Sequence, residues 1–269
     1  MEQKVVLITG GSSGIGKSIG TYLSTKGLKV YGTTRDLEKN QDFKAFALLE
    51  LDVRSEASIT NAITDLIQRE GRLDVLINNA GVGITGPIEE TPHEEILKAF
   101  DTNFNGPLNL IKAVLPQMRK QKSGFIINIT SIAGYMGLPY RGIYSATKGA
   151  LELVVEALRM ETRASGIRIT ALAPGDFATN IASGRYHVPV RENSPYAAFY
   201  GAVLDQMNND VDKGGDPELV AQKVWKILQK KNPKVHYKVG SPIQKFSVAL
   251  KRILPDKVYE KLLRNHYKL

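Results

Sequence analysis

Val5-Val6-Leu7-Ile8-Thr9-Gly10-Gly11-Ser12-Ser13-Gly14-Ile15-Gly16 opens the chain and decides its fold. Four consecutive apolar residues suit a strand buried on both faces of a parallel sheet. A glycine-rich turn follows, and then a helical pattern through Ile19, Leu23 and Lys26 that Gly27 closes. Glycines let backbone approach a pyrophosphate closely, and the N–H groups and dipole at a helix start favour its negative charge. The spacing of Gly10, Gly14 and Gly16 differs from the commoner Gly-x-Gly-x-x-Gly pattern. Flanked by strand and helix, the turn is nonetheless read as a cradle, with Ser12, Ser13 and Ile15 in its wall.

The alternation continues along the chain. Strands are predicted over 28–34, 47–53, 73–77, 125–130, 167–173 and 235–239, with helices over 55–70, from Thr91-Pro92 to about 122, over 143–165 and over 217–230. Strands alternating with helices imply right-handed crossovers, hence an α/β doubly wound, Rossmann-type parallel sheet of about seven strands flanked by helices. One domain is expected over 1–240, with an irregular substrate loop at 181–215, followed by a helical extension over 241–269.

Candidate residues fall at the carboxyl ends of strands, where open sheets bind ligands. The second strand ends in Thr34 and Arg35 where an acid would repel a 2′-phosphate, which favours NADP(H) over NAD(H), although Asp36 is adjacent. Asp52, beside Val53, is read as an acceptor for an adenine amino group or as a helix cap. Asn78, Ala80 and Gly81 follow the fourth strand, and Ser131 ends the fifth. Thirteen residues on comes Tyr144, and one helical turn later Lys148, on the same face. A free phenol, with a pKa of about 10, exchanges protons poorly near neutrality; a neighbouring cation and a serine hydroxyl ease it. Alone, Tyr-x-x-x-Lys also describes a half-buried tyrosine near a surface lysine.

In this order and spacing the motifs resemble the short-chain dehydrogenase/reductase family, over roughly residues 4–240. They are Thr9 to Gly16, Asn78 to Gly81, Asn103 within Asp-Thr-Asn-Phe-Asn-Gly, Ser131 ending Asn-Ile-Thr-Ser, Tyr144 to Lys148, and Pro174-Gly175 with Thr179. The resemblance implies Tyr144 as general acid or base, Ser131 polarising a carbonyl, and Lys148 binding the nicotinamide ribose while lowering the tyrosine pKa. It implies Asn103 holding a relay water, and Pro174, Gly175 and Thr179 flanking the nicotinamide. It also implies a homodimer or homotetramer paired through the helices bearing Asn103 and Tyr144. The long ending, with Lys-Val-His-Tyr-Lys-Val-Gly before it, is similar to the steroid, retinoid and acyl-dihydroxyacetone-phosphate reductase branch. A small apolar carbonyl or alcohol substrate follows from that likeness. A silent NADPH-binding sensor or scaffold, and a ketoacyl-type reductase of smaller substrates, are the competing readings.

The net charge of +9 is concentrated: residues 230–269 hold eleven Lys or Arg against Asp256 and Glu260, and the rest balances. Without a basic reading motif, nucleic acid is not expected as a partner. Phe246, Leu250 and Leu254, then Val258, Leu262 and Leu263, recur at helical spacing among Lys245, Lys251, Arg252, Lys257, Lys261 and Arg264. Such helices either lie peripherally on an anionic bilayer or cover the crevice or a subunit neighbour. The absence of cysteine excludes disulfides and thiolate chemistry. His93, His187, His236 and His266 form no ligand-spaced pair, so no metal site is expected, and all four are read as surface or loop residues. An apolar run beginning at Val5 leaves no visible leader, and no apolar run reaches the roughly 18 residues of a membrane span, so a cytoplasmic location is expected.

Overall fold

The computed structural model describes residues 3–178, 184–212 and 214–269. Nine strands and nine helices are placed in it: β1 (Val5–Ile8), α1 (Gly14–Thr25), β2 (Lys29–Thr34), β3 (Ala47–Glu50), α2 (Glu56–Glu70), β4 (Val75–Asn78), β5 (Ile84–Thr85), α3 (His93–Phe100), α4 (Gly106–Lys120), β6 (Gly124–Ile129), α5 (Gly142–Glu161), β7 (Ile167–Pro174), β8 (Tyr186–His187), α6 (Ala197–Asp212), α7 (Glu218–Leu228), β9 (His236–Val239), α8 (Pro242–Ile253) and α9 (Asp256–Tyr267). Seven strands form one sheet in the order β3-β2-β1-β4-β6-β7-β9, every pairing parallel.

The sheet is buried on both faces because successive strand residues point to opposite sides. Val5 and Leu7 enter the core beneath α2, α4 and α5, with Ile59, Leu66, Leu110, Val114 and Val155. Val6 and Ile8 enter the other, with Ile19 and Leu23 of α1 and Val220, Val224 and Ile227 of α7. Each fully buried Leu or Ile contributes on the order of 1.5–3 kcal/mol of transfer free energy. The order in which strands are added switches sides at β1: β2 and β3 lie on one side of it, and β4 and the later strands on the other, so a crevice opens above the carboxyl ends of β1 and β4.

Helix ends follow their sequence signals. Ser55 Oγ accepts from Ser58 N at 3.2 Å at the start of α2, and Gly71 ends that helix at φ 69°. Pro92 is itself the residue capping α3, while the Thr91 hydroxyl turns back to Pro87 O at 2.7 Å. Between α3 and α4 the backbone makes a π turn over Asp101–Asn105, a local widening frequent at functional sites.

Two expectations need correction. Within 181–215, residues 197–212 form α6, anchored by the buried ring of Tyr200, whose hydroxyl donates to Val188 O at 2.9 Å. His236 is neither loop nor bare surface: it stands in β9 with Nδ1 hydrogen-bonded to Glu152 and Nε2 2.8 Å from Glu156.

Helices α8 and α9 pack back over the sheet. Val248 and Tyr259 are buried with Ile132, Met136 and Ala173, residues of the β6–α5 connection and of β7. Ser241 and Gln244 form a reciprocal capping box that starts α8.

Candidate active site

A cleft of about 950 Å³ lies along the carboxyl ends of the strands. A smaller one of about 520 Å³, near Gln3, Arg168 and Trp225, contains none of the motif residues.

One wall of the larger cleft is the turn after β1. Gly10 and Gly14 have φ of 62° and 51°, values side chains resist. A Cβ on Gly16 would strike Gly10 O and the Asn79 amide, so this glycine permits the turn to fold on itself. Gly16 lies behind the wall; Gly10, Ser12, Ser13, Gly14 and Ile15 form its surface. Asn79 braces the turn, donating from Nδ2 to Thr9 O at 2.9 Å and Gly10 O at 3.2 Å, and Gly10 N donates to Thr33 Oγ1 at 3.1 Å. Asn78 does not reach the cleft surface: it is buried, and Nδ2 donates to Asn128 Oδ1 at 2.8 Å, joining β4 to β6.

At the end of β2, Thr34, Arg35, Asp36 and Lys39 line the cleft. Asp36 is occupied: Lys39 Nζ is 2.9 Å away and Lys39 N donates to it at 3.0 Å. These contacts hold its carboxyl below the usual range, the Lys39 side chain foremost. Asp52 is paired with Arg54 at 2.7 Å, which keeps its pKa low in the same way; Val53, Ala80 and Gly81 also line the cleft.

β6 delivers Ser131 to the rim, where Oγ accepts from Ala133 N at 3.2 Å and caps a single 3₁₀ turn. Helix α5 places Tyr144 and Lys148 beside it. Lys148 is only 5% exposed and donates to Ile129 O at 3.1 Å, so it is not a surface lysine near a chance tyrosine. Burial lowers its pKa, while the Tyr144 and Glu152 charges act in the opposite sense.

Asn103, in the π turn, is fully buried and stands behind the cleft wall. Its Oδ1 accepts from Val82 N at 2.8 Å, and Nδ2 donates to Val82 O at 2.9 Å and Thr147 Oγ1 at 3.2 Å. A Cβ on Gly81 would sit 3.1 Å from Asn103 Oδ1 and 3.4 Å from Lys148 Nζ, so these three predicted residues meet. Pro174 and Gly175 form the opposite rim; Gly175 N donates to Val239 O at 2.8 Å, and Gln244 packs against its Cα. Thr179 lies outside the described residues.

Asn79 falls within the Asn78-to-Gly81 motif, although its bracing role was not anticipated; residues outside every motif are Lys39, Arg141, Asp176, Arg185 and Glu152. Glu152 had a signal, four residues after Lys148 on the same helical face. It accepts from the Thr130 hydroxyl and is paired to His236.

A glycine cradle, a strand-end cleft and a Ser–Tyr–Lys cluster beside it define a nicotinamide-nucleotide-dependent oxidoreductase. The chain belongs to the short chain dehydrogenase family, whose profile matches residues 4–189. It is 39% identical over 268 residues to 3-ketodihydrosphingosine reductase of Bacteroides thetaiotaomicron, covering 99% of both chains. It is 32% identical to the NADPH-dependent 3-dehydrocapnine reductase of Ornithobacterium rhinotracheale, over 96% of this chain and 95% of that one. A crystal structure of a short-chain dehydrogenase from Streptomyces avermitilis superposes with a TM-score of 0.84 at 32% identity, covering 98% of each chain.

Proposed function

We propose that the protein reduces a ketone on a lipid-like amphiphile with NADPH, Tyr144 donating the proton. The observation that carries this is the convergence of Ser131, Tyr144 and buried Lys148 on one cleft with the glycine cradle. NADPH, which the turn at Gly10, Ser12, Ser13, Gly14 and Ile15 would hold together with Arg35 and Lys39, would supply a hydride to the carbonyl carbon when bound. Tyr144 gives its hydroxyl proton to the carbonyl oxygen, Ser131 donates a hydrogen bond to that oxygen, and Lys148 places positive charge beside the phenol. Ketone, NADPH and a proton thus become alcohol and NADP⁺.

Arg35 and Lys39 at the end of β2, with Asp36 already tied to Lys39, support a 2′-phosphate there and hence NADPH over NADH. The two relatives are named as reductases of a 3-keto and a 3-dehydro compound, and one as NADPH-dependent, which supports ketone reduction by this chain. Exposed Leu153 and Met160 on the outer face of α5 support pairing of subunits through that helix.

The test is a panel of long-chain ketones assayed by nicotinamide absorbance with each cofactor, repeated with Tyr144→Phe. Turnover is expected to be faster with NADPH and to fall by at least about a hundredfold in the variant. Near-normal turnover in Tyr144→Phe rejects the proton-transfer role; tight cofactor binding with no turnover on any ketone favours a sensor.

A second reading, peripheral attachment to an anionic membrane, is supported by the outward face of the two C-terminal helices. Ile243, Phe246 and Ile253 are 81%, 61% and 78% exposed, with Val258 and Leu262 exposed beyond them. Among the described residues no helix is long and apolar enough to cross a membrane.

A further inference from the structure

We infer that His236 is held as an imidazolium between Glu152 and Glu156 and, through Glu152, sets the charge balance at Lys148. His236 is thus a positioning residue, and its part in the reaction rests on the reductase reading through the role of Lys148. Tyr144, Lys148, Glu152 and Glu156 recur every four residues on α5, so one helix face runs from the cleft to the surface. Lys148 and Glu152 are each 5% exposed, while the Glu156 side chain is 50% exposed. Consecutive residues at the end of β6 clasp the two buried groups. Lys148 Nζ donates to Ile129 O at 3.1 Å, and the Thr130 hydroxyl donates to Glu152. His236, opposite Ala171 of β7 in the sheet, spans the two carboxylates with Nδ1 on Glu152 and Nε2 2.8 Å from Glu156.

Hydrogen-bond valence fixes the proton count. A neutral imidazole donates from one nitrogen and accepts at the other, and an ionised carboxylate only accepts. Two ring nitrogens facing two carboxylates therefore need one proton more than a neutral ring supplies. Glu152 does not hold it, because its oxygens accept from Thr130 and His236, and water solvates the charge of half-exposed Glu156. The proton sits on the ring. Glutamates four apart on a helix repel, and a carboxylate as buried as Glu152 is unfavourable alone; an imidazolium between them offsets both. The other charged groups around the ring are Lys148 on α5, Lys238 on β9 and Arg252 on α8. Lys238 Nζ and the Arg252 guanidinium carbon lie 5.2 and 5.9 Å from the centroid of the Tyr135 ring, which stands edge-on to the imidazole at 6.2 Å. Burial, followed by the Glu152 charge, pushes the Tyr135 phenol upward, so it stays neutral.

The consequence for Lys148 has a definite sign. The Glu152 charge favours its ammonium, and an imidazolium on the same carboxylate cancels part of that support. Removing the ring charge leaves Glu152 freer to hold the ammonium, whereas removing Glu152 takes the support away.

Two readouts on the full chain test this. Long-range proton–nitrogen NMR, with His236→Gln assigning the ring among the four histidines, reads the proton count without turnover. At about pH 7.5 an ordinary histidine, with a pKa of about 6.5, is roughly nine-tenths neutral, whereas His236 should show both nitrogens protonated. A neutral tautomer there overturns the inference, whether or not any ketone is reduced. In Lys148→Met, where a nearby like charge is gone, the His236 titration midpoint should move to higher pH; an unmoved midpoint overturns the link to Lys148. The second readout is the pH profile of kcat for reduction of a long-chain methyl ketone by NADPH. The alkaline limb should move up in His236→Gln, on the order of half a pH unit, and down in Glu152→Gln. The double variant should follow Glu152→Gln, because the ring acts through that carboxylate. His236→Lys, which restores a cation, should bring the limb back toward the parent. A ring that merely braces β9 on α5 would lower kcat and melting temperature in His236→Gln and leave the limb in place, and that result also overturns the link. A doubly protonated ring whose midpoint rises in Lys148→Met, with no ketone reduced, sustains the inference and rejects the reductase reading instead.

Discussion

Glu152 stands one further turn along α5 from Lys148 and is buried, so Tyr144, Lys148 and Glu152 share one face of the helix. Its two oxygens are engaged by the Thr130 hydroxyl, next to Ser131, and by His236 on β9. The carboxylate favours the Lys148 ammonium against the burial that lowers its pKa. Replacing Glu152 with Gln removes that charge, so the Lys148 pKa falls further and the ammonium is lost at lower pH. The alkaline limb of kcat should therefore shift to lower pH; a limb that stays in place rejects the coupling. Stability changes with a fixed sign as well. A lysine whose folded pKa lies below its unfolded value leaves more protons on the unfolded chain between the two, so stability rises with pH in that window. The variant widens the window and should be less stable at neutral pH, by about 1–3 kcal/mol for the disrupted buried hydrogen bonds. Ser131, Tyr144 and Lys148 were legible in sequence because a strand end and a four-residue helical spacing place them. His236 was not, because its partners on α5 lie 80 and 84 residues away and only the β7–β9 pairing brings them together. Asn78 and Asn79 are adjacent, and no sequence pattern distinguishes the one that braces the cradle from the one that ties two strands.

At the scale of elements, most strands and helices announced themselves through apolar runs, caps and glycine stops. α6 did not: its rings and methyl groups follow no clean amphipathic period, and it is fixed by Tyr200 bonding to distant backbone. The start of α8 has the opposite character, a local signal with a remote effect. Gln244 closes the capping box with Ser241 and also donates to Asp176 at 2.7 Å, while its side chain packs on Gly175. The tail is thereby latched to the rim expected to flank the nicotinamide. Gln244→Ala should cost about 1 kcal/mol of cap stability. It should also raise the KM for NADPH several-fold, with faster amide exchange at both 241–254 and 174–177. Faster exchange confined to α8, with the rim unchanged, refutes the latch.

For the molecule as a whole, the tail resolves into two faces that a sequence stripe cannot separate. Phe246 and Leu250 were read as one stripe, yet the inward anchors are Val248 and Tyr259, with Leu250, Leu254 and Leu263 packed around them, while Ile243, Phe246 and Ile253 face outward. Residues 243, 246 and 253 are spaced three and seven apart, about one and two helical turns, so the outward set is a coherent stripe flanked by Lys245 and Arg252. An apolar stripe with a basic border suits the boundary between anionic head groups and acyl chains, each basic residue near that surface contributing on the order of 1 kcal/mol. The inward face meets the connection between Ser131 and Tyr144, so a bilayer under the stripe would bring an amphiphilic ketone close to the cleft. The full chain should float with vesicles containing about a third anionic lipid at low salt, and less as salt screens the attraction. Zwitterionic vesicles should retain little of it, and the triple variant Ile243→Ser, Phe246→Ser, Ile253→Ser should stay largely in the bottom fraction. If the intact chain does not float on anionic vesicles even at low salt, the membrane reading fails. A change in sedimenting mass in the triple variant would then identify the stripe as a contact between copies of this chain, because the same apolar surface that prefers acyl chains to water also prefers its own kind.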